Sequence, residues 1–185
     1  LTFIEGEKGG EHFVLEKWQL AIIWNIYGWI RPNGNRRYRE AFIYIPRKNG
    51  KTPMIAGLVL YGLFCESEPG NQIFSAAADR DQASLIYRHA KGMMLAEEEL
   101  RTRGEIYETS RTIIKKNSFC KYQALSSDSA TKHGLNASMI LVDELHAQPN
   151  HHLVDTLITS IASRTQHLVI YITTADFDRP SICNE

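Results

Sequence analysis

Residues 41–64 read AFIYIPRKNGKTPMIAGLVLYGLF: an apolar run, a polar turn closing on Gly50-Lys51-Thr52, then a long apolar segment. Strand, turn and helix in that order make a cradle for phosphate. Residues 42–45 suit a buried strand, and Gly50 lets the backbone approach an anion with no Cβ in the way. A helix opening there aims free N–H groups and the positive end of its dipole at the anion. Lys51 adds a point charge, the Thr52 hydroxyl suits a magnesium ion, and Arg47, Lys48 and Asn49 complete the turn. The pattern G-x-x-x-x-G-K-[ST] wants glycine at position 45, where this chain has Ile45. A bare Gly-Lys-Thr is common, and a surface lysine on such a turn needs no ligand.

The second signal lies about ninety residues downstream. Residues 138–144, SMILVDE, form an apolar strand tipped by two carboxylates. Adjacent buried acids make poor scaffold, because like charges repel in low dielectric unless a cation is present. Asp143 is placed to hold magnesium beside Thr52, and Glu144 to polarise a water for in-line attack on a γ-phosphate. Lys51 and the turn amides would then hold the β- and γ-phosphates. Arg47 could offset charge on the transferring group; its ordinary alternative is a pair with a surface acid.

Around these two motifs the chain alternates. Residues 13–29 place Leu15, Trp18, Ile22, Ile26 and Trp29 at spacings of three and four, which predicts an amphipathic helix. Within it Trp18 and Gln19 offer a ring and an amide to an adenine edge; otherwise they are a core anchor and a surface amide. Residues 53–64 are apolar almost all round, so that helix should be sandwiched. Strands are expected at 72–78, 112–115, 119–125, 138–144 and 167–173, and helices at 79–96, capped by Asp79 or Asp81, and 153–163. Residues 126–136 and 146–152 read as loops. Short apolar strands alternating with helices predict an α/β sandwich with a mainly parallel sheet covered on both faces. Ligands bind such sheets at the strands' carboxyl ends, where Ile45, Glu144 and Thr173 should lie.

Composition sets the bounds. The 185 residues suit one domain, and 43% hydrophobic with 23% charged residues suits a folded protein. No apolar stretch is long enough to cross a bilayer, and there is no signal-peptide pattern at the start, so a cytosolic setting is the default expectation. Three scattered cysteines suggest neither a disulfide framework nor a zinc knuckle. A net charge of zero argues against a uniformly basic coat, but Arg31, Arg36, Arg37, Arg39, Arg47, Lys48 and Lys51 stand against Glu40 alone, which predicts positive potential around the turn. The start without methionine and the abrupt end PSICNE read as a piece of a longer chain.

Together the PRKNGKT turn, the segment SAAADRDQA at 75–83, LNASMILVDELHA at 135–147, the Trp-Gln pair and the Ile172-Thr173-Thr174-Ala175 run resemble the N-terminal ATPase domain of tailed-phage terminase large subunits. The resemblance spans the chain and implies a P-loop NTPase fold of the ASCE/RecA-like type, a three-layer sandwich over 1–185. It implies a motor that hydrolyses ATP with Mg2+ to drive dsDNA into a procapsid. The implied partners are dsDNA, a portal protein and a small terminase subunit, with the motor subunits in a homo-oligomeric ring. The implied setting is the host cytoplasm, away from any membrane. Arg47, Lys51 and Thr52 would belong to the Walker A turn, Asp143 and Glu144 to Walker B, and Thr173 and Thr174 to the motif coupling hydrolysis to movement. Trp18 and Gln19 would lie on the adenine side. Many relatives place an arginine acting on the neighbouring subunit's ATP where this chain has Lys132, followed by His133 and Gly134. The nuclease domain of such proteins is not represented here.

Three other readings compete. A helicase-type P-loop ATPase shares the strand-end acids and would need a second lobe. A metal hydrolase would use Asp143, Glu144, His146, His151 and His152, whose spacing does not fit one helix face. A non-catalytic DNA-binding scaffold would use the arginines of 31–39, with salt-sensitive binding indifferent to ATP.

Overall fold

The computed structural model describes residues 1–66, 68–126, 134–147 and 152–174. A loop-back at the start pairs Thr2 with His12 and lays Ile4 so close to Gly92 that a Cβ there would sit 2.6 Å from its Cγ2. Helix α1 (Lys17–Tyr27) follows. It is shorter than its apolar spacing predicts, because the Glu16 amide is taken by the Gln19 side chain at 2.9 Å and Gly28 ends the helix. Its buried residues are Gln19 and Ile26, while Trp18 is 36% and Trp29 50% exposed. The expected Trp18–Trp29 face is therefore turned partly outward, and Gln19 is no surface amide.

Strand β1 (Glu40–Tyr44) runs into the Gly50 turn and α2 (Lys51–Phe64). Gly50 adopts φ 68°, a left-handed conformation costly for residues with a Cβ. Pro53 falls in the first turn of α2, where a missing N–H costs little. From Met54 onward α2 is buried nearly all round. At Gly62 a Cβ would lie 2.8 Å from Met139 Cε and 2.9 Å from Ile73 Cδ1, so glycine brings this helix down onto the sheet.

Beyond it come β2 (Gln72–Ala77) and α3 (Arg80–Ala96), whose first amides are capped by Asp79 Oδ1 at 2.8 and 2.9 Å. The charged stretch after α3 is helix α4 (Glu98–Arg103), followed by β3 (Gly104–Tyr107), β4 (Thr112–Lys115) and β5 (Lys121–Ser126). After these lie β6 (Met139–Asp143), a 3-10 turn (Leu145–Ala147), α5 (His152–Thr159) and β7 (Leu168–Thr173). Part of the loop expected at 146–152 is thus helical.

The sheet has the order β1-β7-β6-β2-β5-β4-β3. The first five strands are mutually parallel, and β4 and β3 join antiparallel as a hairpin edge. Inserting β7 between β1 and β6 brings their carboxyl ends to one rim. On one face α2 and α3 pack over Ile43, Ile73, Met139 and Ile170; on the other, Leu153, Val154 and Leu157 of α5 pack over Phe74, Ile140 and Val142. Covering both faces holds for the central strands. It fails at β1, an edge strand whose Ile43 is buried while Phe42 and Tyr44 are 53% and 57% exposed. Their rings stack on the open face at 6.2 Å.

Candidate active site

The rim where β1, β7 and β6 end carries most of the candidate residues. Ile45 explains the missing glycine: it is 6% exposed, its N–H donates to the Thr173 carbonyl at 3.1 Å, and its side chain belongs to the core. The turn is braced by Asn49, whose Nδ2 donates to the carbonyls of Pro46 at 3.2 Å and Arg47 at 3.1 Å. Lys48 takes φ 65°. Arg47, Lys48 and Asn49 are exposed, and Arg47 has no ion pair with an acid among the described residues. Thr52 lies half-buried in the first turn of α2, whose start has no side-chain cap. The helix amides are thereby left for an anion.

Lys51 crosses to the other motif. Its Nζ donates to Glu144 Oε1 at 2.6 Å, with the two side chains 10% and 23% exposed. The second carboxylate oxygen of Glu144 accepts from Thr174 twice, from the backbone N–H at 3.3 Å and from Oγ1 at 3.1 Å. Glu144 itself has φ 48°, a left-handed strain on the order of 1–3 kcal/mol for a residue with a Cβ. It is held there by its N–H on the Ile172 carbonyl at 2.8 Å. A strained backbone and a carboxylate bound on both oxygens fix this acid's direction.

Asp143 is 8% exposed. Burial first, then repulsion from Glu144, raises its carboxyl to about 6, against the opposing pull of Lys51. A buried carboxylate beside a second acid, with a hydroxyl on the facing helix turn, is a donor set for a hard divalent cation that takes its other ligands from phosphate and water. Among the described residues no group of three or more His, Cys, Asp or Glu could hold a metal by itself. His152 is exposed at the start of α5; the His146 side chain and His151 lie outside the described residues.

Gln19 reaches the turn from α1: a Cβ on Gly50 would sit 3.4 Å from its Nε2. The buried amide thus faces the phosphate turn, with Trp18 beside it in sequence. Thr173 is fully buried and Thr174 nearly so. Lys132 lies outside the described residues. The arginines of 31–39 do not join this rim. Arg36 sits before β1, at the opposite end of the strands, where it bonds Glu66 at 2.7 Å and Gln166, and stacks 4.9 Å over Tyr27. The positive potential expected around the turn is divided between two ends of the sheet, and Arg36 is already paired. The Thr174 contact was not readable from spacing, since it depends on β7 lying next to β6.

A family described as "Terminase large subunit, ATPase domain" matches residues 17–185. The terminase large subunit of Enterobacteria phage HK97 is 30% identical over 173 residues, covering 92% of this chain and 33% of that protein. The crystal structure of the HK97 large terminase superposes with a TM-score of 0.78 at 29% identity, over 89% of this chain and 34% of that one. The large terminase ATPase domain of Thermus phage P74-26 gives 0.64 at 17% identity, over 90% and 67%. The large terminase of another thermophilic bacteriophage, solved in complex with ADP, gives 0.57 at 14%, over 86% and 39%. The last two show the fold alone. The chain spans about a third of the length of the HK97 protein.

Proposed function

The chain belongs to the terminase large-subunit ATPase-domain family, and from that premise we propose that it is the ATP-hydrolysing motor unit that drives double-stranded DNA into a viral procapsid. The single observation that carries the site assignment is the 2.6 Å contact between Lys51 and Glu144. In this reading Lys51, the Gly50 turn and the α2 amides bind the β- and γ-phosphates. Glu144, aimed by Thr174, takes a proton from the attacking water. Arg47, exposed and unpaired among the described residues, offsets charge on the transferring phosphoryl group. Thr52 and Asp143 would hold Mg2+, which neutralises phosphate charge when bound. Trp18 and Gln19 border the nucleotide, and Thr173 and Thr174 pass the state of the site to β7. The family match favours this motor over a helicase-type ATPase.

The finer assignments belong to the same proposal. Residues 1–185 act as one ATPase unit of a longer polypeptide, in a homo-oligomeric ring in the host cytoplasm, with portal protein and small terminase subunit as partners. Lys132, at the sequence position where many relatives carry an arginine, would be a weak substitute acting on a neighbouring subunit's nucleotide. The test is steady-state ATP hydrolysis with and without Mg2+ and duplex DNA. Turnover that needs the metal and rises with DNA is expected; turnover indifferent to DNA would overturn the motor reading.

A further inference from the structure

Between Glu16 and Glu40 the chain carries no acid, yet it carries Lys17, four arginines and all three of its tryptophans. Part of this segment serves the fold and site already described: Gln19 faces Gly50, Ile26 is buried and Arg36 is paired with Glu66. The rest is turned outward. Leu20 and Trp24, four residues apart on one side of α1, are 45% and 68% exposed. The Trp24 ring lies over the end of that helix, where a Cβ on Gly28 would sit 2.5 Å from its Cδ1. Trp29 follows at once, its Nε1 donating back to Asn25 Oδ1 at 3.3 Å. Across a short hairpin the Arg37 N–H donates to the Trp29 carbonyl at 2.9 Å. The Arg37 guanidinium lies 5.9 Å from the centre of the Trp29 ring and 5.5 Å from that of Tyr38. Trp24, Trp29, Arg37 and Tyr38 therefore form one exposed run off the end of α1. Arg31, two residues beyond Trp29 in the same hairpin, is exposed as well. Neither Arg31 nor Arg37 has an acidic partner among the described residues: Glu66 is taken by Arg36, and Glu40 by the Tyr171 hydroxyl.

We propose that this face, from Leu20 and Trp24 to Tyr38, docks an acidic segment of a partner protein. Apolar side chains of that segment cover the two indoles, and its carboxylates meet Arg31 and Arg37. Clustered exposed apolar groups mark an interaction surface, and Trp, Tyr and Arg are the residue types that anchor protein interfaces. Stacking on two rings holds the Arg37 guanidinium in place before binding, which reduces the ordering a partner must impose. A nucleic-acid duplex is disfavoured, because its interfaces are far more positively charged than a face with two unpaired arginines among four large apolar or aromatic side chains. A second copy docking face to face is disfavoured, because it would set Arg31 and Arg37 against their own counterparts. The proposal does not rest on the ATP site. Gln19 marks the rim end of α1, and Trp29 lies past its other end, so docking and nucleotide binding are separable by mutation.

The test uses the full chain and a labelled synthetic peptide of about 18 residues, with leucines at spacings of three and four and glutamates elsewhere. Two of the chain's three tryptophans lie in this face, so their emission is expected to shift to the blue as the peptide binds, while peptide anisotropy gives the affinity. Trp24→Ala and Trp29→Ala are each expected to weaken binding by at least about tenfold. Arg31→Ala combined with Arg37→Ala is expected to weaken it and make it less sensitive to salt. Arg101→Ala in α4, beside the opposite edge of the sheet, should leave it unchanged, and unchanged nucleotide affinity shows that each variant folds. Full peptide affinity in the Trp24 and Trp29 variants would overturn the assignment, as would no binding by the unsubstituted chain. Equal affinity for polyglutamate of the same charge would reduce the face to charge alone and overturn it. Displacement of the peptide by duplex DNA, with DNA affinity lost in the same variants, would give the face to nucleic acid. A dimer in solution that Trp24→Ala dissolves would give it to a second copy, and either result overturns the proposal.

Discussion

The Lys51 ammonium and the Glu144 carboxylate, 93 residues apart in sequence, meet at 2.6 Å on the rim formed by β1, β7 and β6. The contact gives each side chain a partner in a poorly solvated place, so neither charge is stranded. A triphosphate entering the turn competes with Glu144 for Lys51. Binding substrate would thereby release one oxygen of the acid for chemistry while Thr174 keeps hold of the other.

Substitution of the two partners should therefore separate binding from turnover. Lys51→Ala is expected to weaken nucleotide binding and lower kcat by at least 10²- to 10³-fold, roughly the loss seen when one charge-stabilising group is removed. Glu144→Gln is expected to bind nucleotide with near-normal affinity and hydrolyse it about 10²- to 10⁴-fold more slowly. Calorimetric binding set beside single-turnover hydrolysis checks both. Lost affinity in the Glu144 variant would reassign that residue to binding.

Thr174 is expected to be a positioning residue. Thr174→Val removes the 3.1 Å hydroxyl bond to Glu144 and retains the backbone bond. A hydrogen bond to a charged group contributes about 1.5–3 kcal/mol, so kcat should fall by roughly 10- to 100-fold with little change in KM, and Thr174→Ser should restore it. A variant that loses affinity and rate together would argue for a packing role.

Asp143 gives a pH signature. Its carboxyl is raised from 3.8 to about 6 in the folded protein, so between those values the native state holds a proton that the unfolded chain has released. The contribution to stability is present below about pH 4 and is lost as pH rises through about 6. Asp143→Asn should thus stabilise the nucleotide-free protein at pH 8 by up to about 3 kcal/mol, with the gain vanishing near pH 4. Urea melts across pH measure it, and a gain that persists at pH 4 would contradict this origin.

Arg36 should behave as a structural residue. Its partner Glu66 is held above the usual carboxylate range, first by burial and against the pull of Arg36. The pair's side chains are 11% and 16% exposed. Arg36→Glu places two acids together in that site and is expected to cost about 3–5 kcal/mol, read as a lowered denaturation midpoint, with unchanged nucleotide affinity in the folded fraction. Unchanged stability would return Arg36 to the surface.

The outcome for each element follows from how local its cause is. Helix α3 was legible because Asp79 caps it from one residue away, and the β4–β5 hairpin because Lys116-Asn117 separates the β-branched run at 112–114 from the run at 119–125 that carries Phe119 and Tyr122. Apolar spacing overextends helix α1, because its start is set instead by a bond between Gln19 and Glu16. Strand β1 reads as buried from composition alone. Whether it lies inside or at the edge is a property of the sheet order, to which its own residues are indifferent.

By itself, the sequence determined that a glycine-lysine-threonine turn would follow one apolar strand and a pair of acids would end another, because side-chain chemistry and local backbone preference settle such features within a few residues. Only the tertiary structure decided that Glu144 would be gripped by both Lys51 and Thr174, that Gln19 would face Gly50, and that Arg36 would be spent on Glu66 at the far end. Those relationships are fixed by strand order and register, which arise from packing the whole sheet against its helices and are encoded in no single stretch of chain.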